Sequence, residues 1–367
     1  MISYGSQSID RNDVQAVTTT LKSKWLTQGP KVQEFENGLA NYCGVKYAVA
    51  ASSGTAALHL AYLAAGLKKG DEVITTPNTF VATTNMLLVL GAKPVFGDIR
   101  LDTYNLDESK IAKLITKKTK AIVPVDFAGQ PCEYQKIRSL AKKHKLLIIA
   151  DACHALGANY RGAKVGSLAD LTVFSFHPVK SITTGEGGAV LTNHKNFYDQ
   201  LLLLRSHGVE KDQNGFNVMT KLGFNYRLTD IQAALGLSQL KKLDRFIAKR
   251  HQVVNWYRKY LSDCLEITLP EEIPSSRSAW HIFVIRVKNV KDRLPLYNFL
   301  KKNGIGVNFH YPTVYSQPYY QKLDLKITNC PKADHYSQTA MTLPLYPNLT
   351  QTKVKYIVNV IKQYYRL

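Results

Sequence analysis

LTVFSFHPVKSITTGEGGAVLTN, residues 171–193, is the stretch that decides how this chain is read. A β-rich run, Leu171–Phe176, leads into a turn-rich segment with Pro178, Gly185, Gly187 and Gly188, and a second strand follows over Gly188–Thr192. Lys180 is the only formally charged residue between Asp170 and Glu186. A lysine in apolar, glycine-rich surroundings loses solvation of its ammonium form, which favours the nucleophilic amine. A single lysine among 48 Lys and Arg is by default a solvated surface residue, so its neighbours must decide.

Upstream, the chain alternates between two periods. Tyr47–Ser52, Glu72–Thr76, Lys93–Ile99, Lys120–Phe127 and Lys145–Asp151 read as strands, and Thr55–Leu67, Phe80–Leu90, Asp107–Thr116 and Cys132–His144 as helices. Such alternation predicts an α/β fold with a large, mostly parallel sheet. Asp151 ends the apolar run Leu146–Ala150, and open sheets of this kind bind ligands at the carboxyl ends of their strands. An aspartate there serves equally as a helix cap, a metal ligand or a cofactor partner. With Lys180 it matches the pair that pyridoxal phosphate needs: an amine for the aldehyde and a carboxylate for the ring nitrogen.

Ser52-Ser53-Gly54-Thr55-Ala56-Ala57 lies between a strand and a helix. Small residues there let backbone N–H groups close on a phosphate, or simply make a capped turn. No G-K-[ST] follows and no G-x-G-x-x-G occurs at this turn, which disfavours nucleotide loops of those types. Phe80, at the start of its helix, either stacks on a planar ligand or packs in the core. His154 either reaches a ligand oxygen or is a satisfied buried histidine.

After residue 193 the pattern changes. Apolar positions Ile231, Leu235, Leu237, Leu240, Leu243 and Ile247 predict one long amphipathic helix over Thr229–Tyr260. Strand Ala279–Val287, helix Leu294–Asn303, strand Gly306–His310 and a terminal helix after Asn348 then form a small α+β unit, with Tyr364-Tyr365-Arg366-Leu367 docked at its end. The expected division is a large domain with an N-terminal arm over residues 1–245 and a small domain over 246–367.

Over the whole chain, 367 residues with 45% hydrophobic and 20% charged content exclude a disordered or low-complexity protein. Lys and Arg exceed Asp and Glu by 21, a balance that draws in anions. The basic residues are scattered in short pairs such as Lys117-Lys118 and Lys301-Lys302, without aromatic interleaving, so a nucleic-acid-binding protein is the rival reading and not the favoured one. Five scattered cysteines without a C-x-x-C pair argue against a metal site and for a reducing cytoplasm. Asp10, Arg11 and Asp13 break any signal-like start, and no apolar run is long enough to predict a membrane span.

Six segments in order give the sequence a family likeness: Trp25-Leu26-Thr27-Gln28-Gly29-Pro30, Ser53–Leu58, Asp151–Gly157, Ser175–Lys180, Gly185–Gly188 and Gly223-Phe224-Asn225-Tyr226-Arg227. The chain resembles the DegT/StrS group of nucleotide-sugar aminotransferases, enzymes of the fold-type-I pyridoxal-phosphate class, over nearly its whole length. The resemblance implies that Lys180 is the Schiff-base lysine and Asp151 the partner of the ring nitrogen. It places Phe80 over the cofactor and His154 at its phenolic oxygen. Backbone N–H groups around Gly54, Thr55 and Ala56, and the Ser175 hydroxyl, become phosphate ligands. Asn225 becomes a ligand to the neighbouring subunit's cofactor, which implies a homodimer with shared sites. Retention of Lys180 and Asp151 argues against a non-catalytic regulator on the same fold. Ser23–Gly29, Val125–Gln130, Ile182–Gly188 and Arg205–Gly208 resemble most those members that aminate C4 of a UDP-linked 4-keto-6-deoxy-N-acetylhexosamine, with L-glutamate becoming 2-oxoglutarate; another UDP- or dTDP-linked 3- or 4-keto sugar is the alternative. Lys24, Trp25, Thr27, His177, His310 and Tyr311 are the expected sugar and diphosphate contacts.

Overall fold

The computed structural model describes every residue except Asp324, Lys326, Ile327 and Leu367, so the last residue of the Tyr-rich tail lies outside the described residues. Two helices come first, α1 (Arg11–Leu21) and α2 (Pro30–Cys43). The alternating part then runs β1 (Tyr47–Ala51), α3 (Gly54–Ala64), β2 (Glu72–Thr75), α4 (Ala82–Val89), β3 (Lys93–Phe96), β4 (Thr119–Ile122), α5 (Tyr134–His144), β5 (Leu147–Asp151), β6 (Leu171–Ser175) and β7 (Gly188–Thr192). These strands make one seven-stranded sheet in the order β1-β7-β6-β5-β4-β2-β3. Every pairing is parallel except those of β7, which runs antiparallel to both β1 and β6. The carboxyl ends of β1, β6, β5 and β4 therefore lie in a row along one edge, the arrangement that opens a ligand crevice.

The strands are apolar on both faces because helices cover both. Val49, Ile149, Val173 and Val190 pack with Leu60, Ala61 and Tyr62 of α3 on one side. Ala50, Ile148, Phe174 and Leu191 pack with Phe35, Leu39 and Ile137 on the other. α3 begins where the Ser53 side chain accepts a hydrogen bond from the Ala56 N–H at 3.0 Å, a cap that stops the chain from continuing as strand.

Beyond β7 come α6 (Lys195–Arg205), a hairpin of Val209–Lys211 with Asn217–Met219, α7 (Asp230–Leu240) and α8 (Leu243–Tyr260). The single helix expected over Thr229–Tyr260 is thus two, broken at Lys241-Lys242. Lys242 is drawn aside to bridge Asp10 at 3.0 Å and the buried Asp13 at 2.6 Å, which pins the break against α1. Within α8, Ile247 packs in the core beneath the large sheet, whereas Val253 and Tyr257 belong to a second core. That second core joins β8 (Ile267–Thr268), β9 (Phe283–Val287), α9 (Arg293–Lys302), β10 (Ala340–Leu343) and α10 (Gln351–Tyr365).

Three further expectations are corrected. Asp107–Thr116 holds only a helical turn at Glu108–Ile111 and a 3-10 turn after it. The helix expected from Phe80 starts at Ala82, leaving Phe80 in the preceding turn. Gly306–His310 is not a strand: Gly306 N–H is spent on the Ile2 carbonyl at 2.7 Å, and only Asn308 bridges to Thr342.

Candidate active site

At the row of strand ends lies a cavity of about 510 Å³. β5 brings Asp151 to it, the turn after β5 brings Cys153 and His154, β6 ends in Ser175, and the following loop supplies His177 and Lys180. Gly54 and Thr55 face it from the start of α3, Phe80 from the turn before α4, and His281, His310 and Tyr311 from the C-terminal part of the chain.

Burial depresses the Lys180 pKa, opposed by the nearby Cys153 and Asp151, so the site favours the free amine. Asp151 is buried and does not cap a helix. Its Oδ2 accepts a hydrogen bond from the Thr83 hydroxyl at 2.6 Å and its Oδ1 one from the Cys153 N–H at 3.2 Å. The carboxylate is thereby fixed in orientation by α4 and by its own turn.

His154 has a defined tautomer. The Ala128 N–H donates to its Nδ1 at 3.2 Å, so the neutral ring carries its proton on Nε2. Burial, with Lys180 and His310 nearby, holds the ring well below its ordinary pKa and hence neutral. Nε2 lies 3.4 Å from the Tyr311 hydroxyl, so His154 presents an N–H donor to the cavity. Burial pushes the Tyr311 phenol up, which keeps it protonated.

The start of α3 comes close to Ser175. A Cβ on Gly54 would stand 2.8 Å from the Ser175 Cβ, so only glycine lets the start of α3 close on Ser175. The Ala56 N–H, expected to face an anion, is instead taken by the Ser53 cap. The donors left open by the first turn are those of Gly54 and Thr55.

Phe80 is 56% exposed, its ring 5.9 Å from that of Tyr311. The expectation that His310 contacts the sugar is corrected in one respect. Its Nδ1 is 2.7 Å from the Thr342 hydroxyl, and its Nε2 faces the Asn308 side-chain amide at 3.3 Å. Both nitrogens are occupied, and burial lowers the ring to about 4, so His310 is a neutral wall and not a free donor. Lys24, Trp25, Thr27 and Asn225 are exposed and do not line this cavity. Their loop is nevertheless shaped: the buried Asp230 accepts from Gly29 N–H at 2.7 Å and from Lys31 N–H at 2.8 Å, capping α2. Tyr4, Thr83, Cys153 and His281 line the cavity although sequence reasoning passed over them.

An amine-forming lysine, an oriented buried carboxylate, a neutral N–H donor and an open helix start in one cavity fit pyridoxal phosphate, and define an enzyme of amine chemistry. The comparisons agree with that class. The chain matches the DegT/DnrJ/EryC1/StrS aminotransferase family over residues 7–362 and belongs to it; it is a transaminase. The UDP-4-amino-4,6-dideoxy-N-acetyl-beta-L-altrosamine transaminase of Campylobacter jejuni (strain 81-176) is 42% identical, over 98% of this chain and 96% of that one. The structure of Helicobacter pylori PseC, an aminotransferase of pseudaminic acid biosynthesis, superposes with a TM-score of 0.95 at 37% identity, covering 100% of both chains. A sugar aminotransferase of Streptococcus pneumoniae in its PLP-form gives 0.93 at 31% identity, covering 99% of this chain and 98% of that one. No helix among the described residues is long and apolar enough to cross a membrane.

Proposed function

We propose that the chain transfers the amino group of L-glutamate to C4 of a UDP-linked 4-keto-6-deoxy-N-acetylhexosamine, giving UDP-4-amino-4,6-dideoxy-N-acetyl-L-altrosamine and 2-oxoglutarate, in the biosynthesis of pseudaminic acid. The observation that carries this reading is the half-buried Lys180, its pKa lowered by desolvation, sharing a cavity with the oriented Asp151, in a chain 42% identical to a transaminase of that name.

Pyridoxal phosphate, when bound, supplies an aldehyde and an electron-withdrawing ring. Gly54 and Thr55 N–H groups and the Ser175 hydroxyl hold its phosphate. Asp151 would keep a proton at the ring nitrogen, His154 Nε2–H would donate to the phenolic oxygen, and Phe80 would lie beside the ring. Lys180 removes the proton from the donor's Cα and returns it on the far side of the exchange, acting as base and then acid. Desolvation lowers its pKa, which favours the base role.

The exposed Lys24, Trp25 and Thr27, with His177 and Tyr311 at the cavity, bind the sugar and its diphosphate, and the net charge of +21 raises the encounter rate with such a dianion. Asn225 reaches the cofactor phosphate of a second copy, so the working unit is a homodimer; the exposure of Asn225 outside its own chain's cavity supports this. The test is incubation with glutamate and a panel of UDP- and dTDP-linked 3- and 4-keto sugars, with product NMR. A preference for a dTDP-linked or 3-keto sugar overturns the substrate and leaves the transaminase standing.

A further inference from the structure

One side chain of the cavity has no part in the scheme above. His281 is 5% exposed, lines the cavity, and its Nδ1 is buried without a hydrogen-bond partner among the described residues. Its backbone, by contrast, is fully engaged. The N–H donates to the Ala128 carbonyl at 2.8 Å, and the carbonyl accepts from Arg250 Nη1 at 2.9 Å. The ring itself lies 4.3 Å from that of His154. A rigidly held imidazole with an unpaired buried nitrogen marks a missing partner.

The charges around it say what that partner is. His154, Lys180, Arg250 and His310 face His281 from four separate segments, and every one is neutral or cationic. Arg250 is 1% exposed and held by the carbonyls of Trp280, His281 and Leu345, with no carboxylate at ion-pair distance among the described residues. Of the cavity's two carboxylates, Asp151 is tied to Thr83 and Cys153, and Glu186 sits exposed at the rim. This pole attracts an anion that only accepts hydrogen bonds.

The anion is not the cofactor's phosphate. Gly54 and Ser175 stand at the ends of β1 and β6, whereas His281 hangs from the turn that follows β4, two strands from β6. Neighbouring strands are about 4.8 Å apart, which separates the two poles by roughly 10 Å.

We propose that His281 donates a hydrogen bond to a carboxylate of the amino-acid donor and, with the buried Arg250 charge behind it, forms the donor's anion subsite. The proposal rests on the transaminase reading. The alternative source of such an anion is the sugar's diphosphate, and the two are separable because amino transfer divides into a donor half-reaction and an acceptor half-reaction.

H281F and H281Q are made in the cofactor-loaded enzyme. Calorimetry with glutarate, a dicarboxylate that cannot react, reads binding without turnover. H281F is expected to weaken glutarate and to raise the KM for glutamate by about tenfold or more, with the KM for the sugar within about twofold; H281Q, which keeps a donor, recovers most of the loss. An unchanged glutarate affinity in H281F overturns the proposal, and so does a rise confined to the sugar's KM. Should H281F fail to fold, the ring-nitrogen NMR signals of His281 in the wild type decide: a shift on adding glutarate is expected, and no shift sinks the idea. A wild type that binds glutarate but transfers no amine refutes the transaminase reading alone.

Discussion

The wall of the cavity and the loop over residues 23–29 are built on opposite plans. Lys180, Asp151, His154 and Ser175 all hang from strand ends of one sheet or the turns that follow them, and their hydrogen bonds close within one chain. Lys24, Trp25 and Thr27 stand exposed on a connection between two helices, and Asn225 is exposed on another. The first region holds atoms in place for a reaction common to many substrates. The second, under the proposed function, would be completed by the sugar and by a second copy of the chain. Under the proposed function, bond-making would sit on the rigid element and discrimination where side chains are free of packing.

The sharpest break of this contrast is Lys180→Ala. It removes the amine at the rigid end, and turnover is expected to fall by about 10²–10⁴-fold or more, with loss of the covalent cofactor link in the absorbance spectrum. Wild-type turnover in that variant overturns the assignment. Next in size is a mixing experiment at the exposed end. Lys180→Ala and Asn225→Ala chains, each inactive alone, form heterodimers in which one site carries both lesions and the other neither. Statistical mixing then restores about a quarter of wild-type activity if the dimer shares its sites. No recovery, or an active monomer, removes Asn225 from the scheme.

Thr83→Val sharpens the rigid side. It deletes the hydroxyl that donates to Asp151 without changing the side chain's shape. Leaving a buried carboxylate short of one partner costs about 1.5–3 kcal/mol, so the melting temperature drops and kcat falls about tenfold, while the KM for the sugar stays near its starting value. An unchanged kcat would show that Asp151 is oriented by its own turn alone.

The smallest effect is in pH. His154 and His281 are held well below their ordinary pKa by burial, and His310 is lowered from 6.5 to about 4. Between those values the unfolded chain binds protons that the fold refuses, so stability falls as pH drops from about 6.5 towards 4. Asp126, buried and raised from 3.8 to about 7, opposes this: its contribution is present at low pH and is lost as pH rises through about 7. Glu36, raised by burial, acts in the same sense as Asp126, and His59 and His251, lowered by burial, join the imidazoles, so five imidazoles stand against two carboxyls. His310→Asn should flatten the acid limb of the stability curve by up to about 1.4 kcal/mol per pH unit, read as melting temperature against pH.

Much of the rigid region was legible because its signals are local. Apolar runs of four or five residues, an aspartate at the end of one and a lone lysine after another survive as short patterns. Thr83 did not stand out, since its bond to Asp151 joins α4 to β5 across 68 positions and nothing in Ala82-Thr83-Thr84-Asn85 distinguishes it. His281 followed the same rule: its neighbour His154 is set by folding and not by spacing. The break at Lys241-Lys242 was hidden because apolar spacing runs straight across it, while its cause, Asp10 and Asp13, lies at the other end of the chain. The helix α1 lay inside the expected N-terminal arm without a range of its own, although Asp10 and Asp13 form a reciprocal cap at its start.

The grip of Asp230 on Gly29 and Lys31 bears on how such enzymes diversify. The loop's path is written in three backbone-level anchors: a buried carboxylate and two N–H groups, with Gly29 unable to bear a Cβ because Trp25 stands 2.5 Å from where it would be. Lys24 and Thr27 are outside that set and exposed, so exchanging them costs the fold within about 0.5 kcal/mol. A lineage can therefore try new side chains against new sugars one substitution at a time without renegotiating its architecture. If Lys24 and Thr27 meet the acceptor as proposed, acceptor preference can change without disturbing the fold, whereas a change at Gly29 or Asp230 strikes the anchors that shape the loop itself.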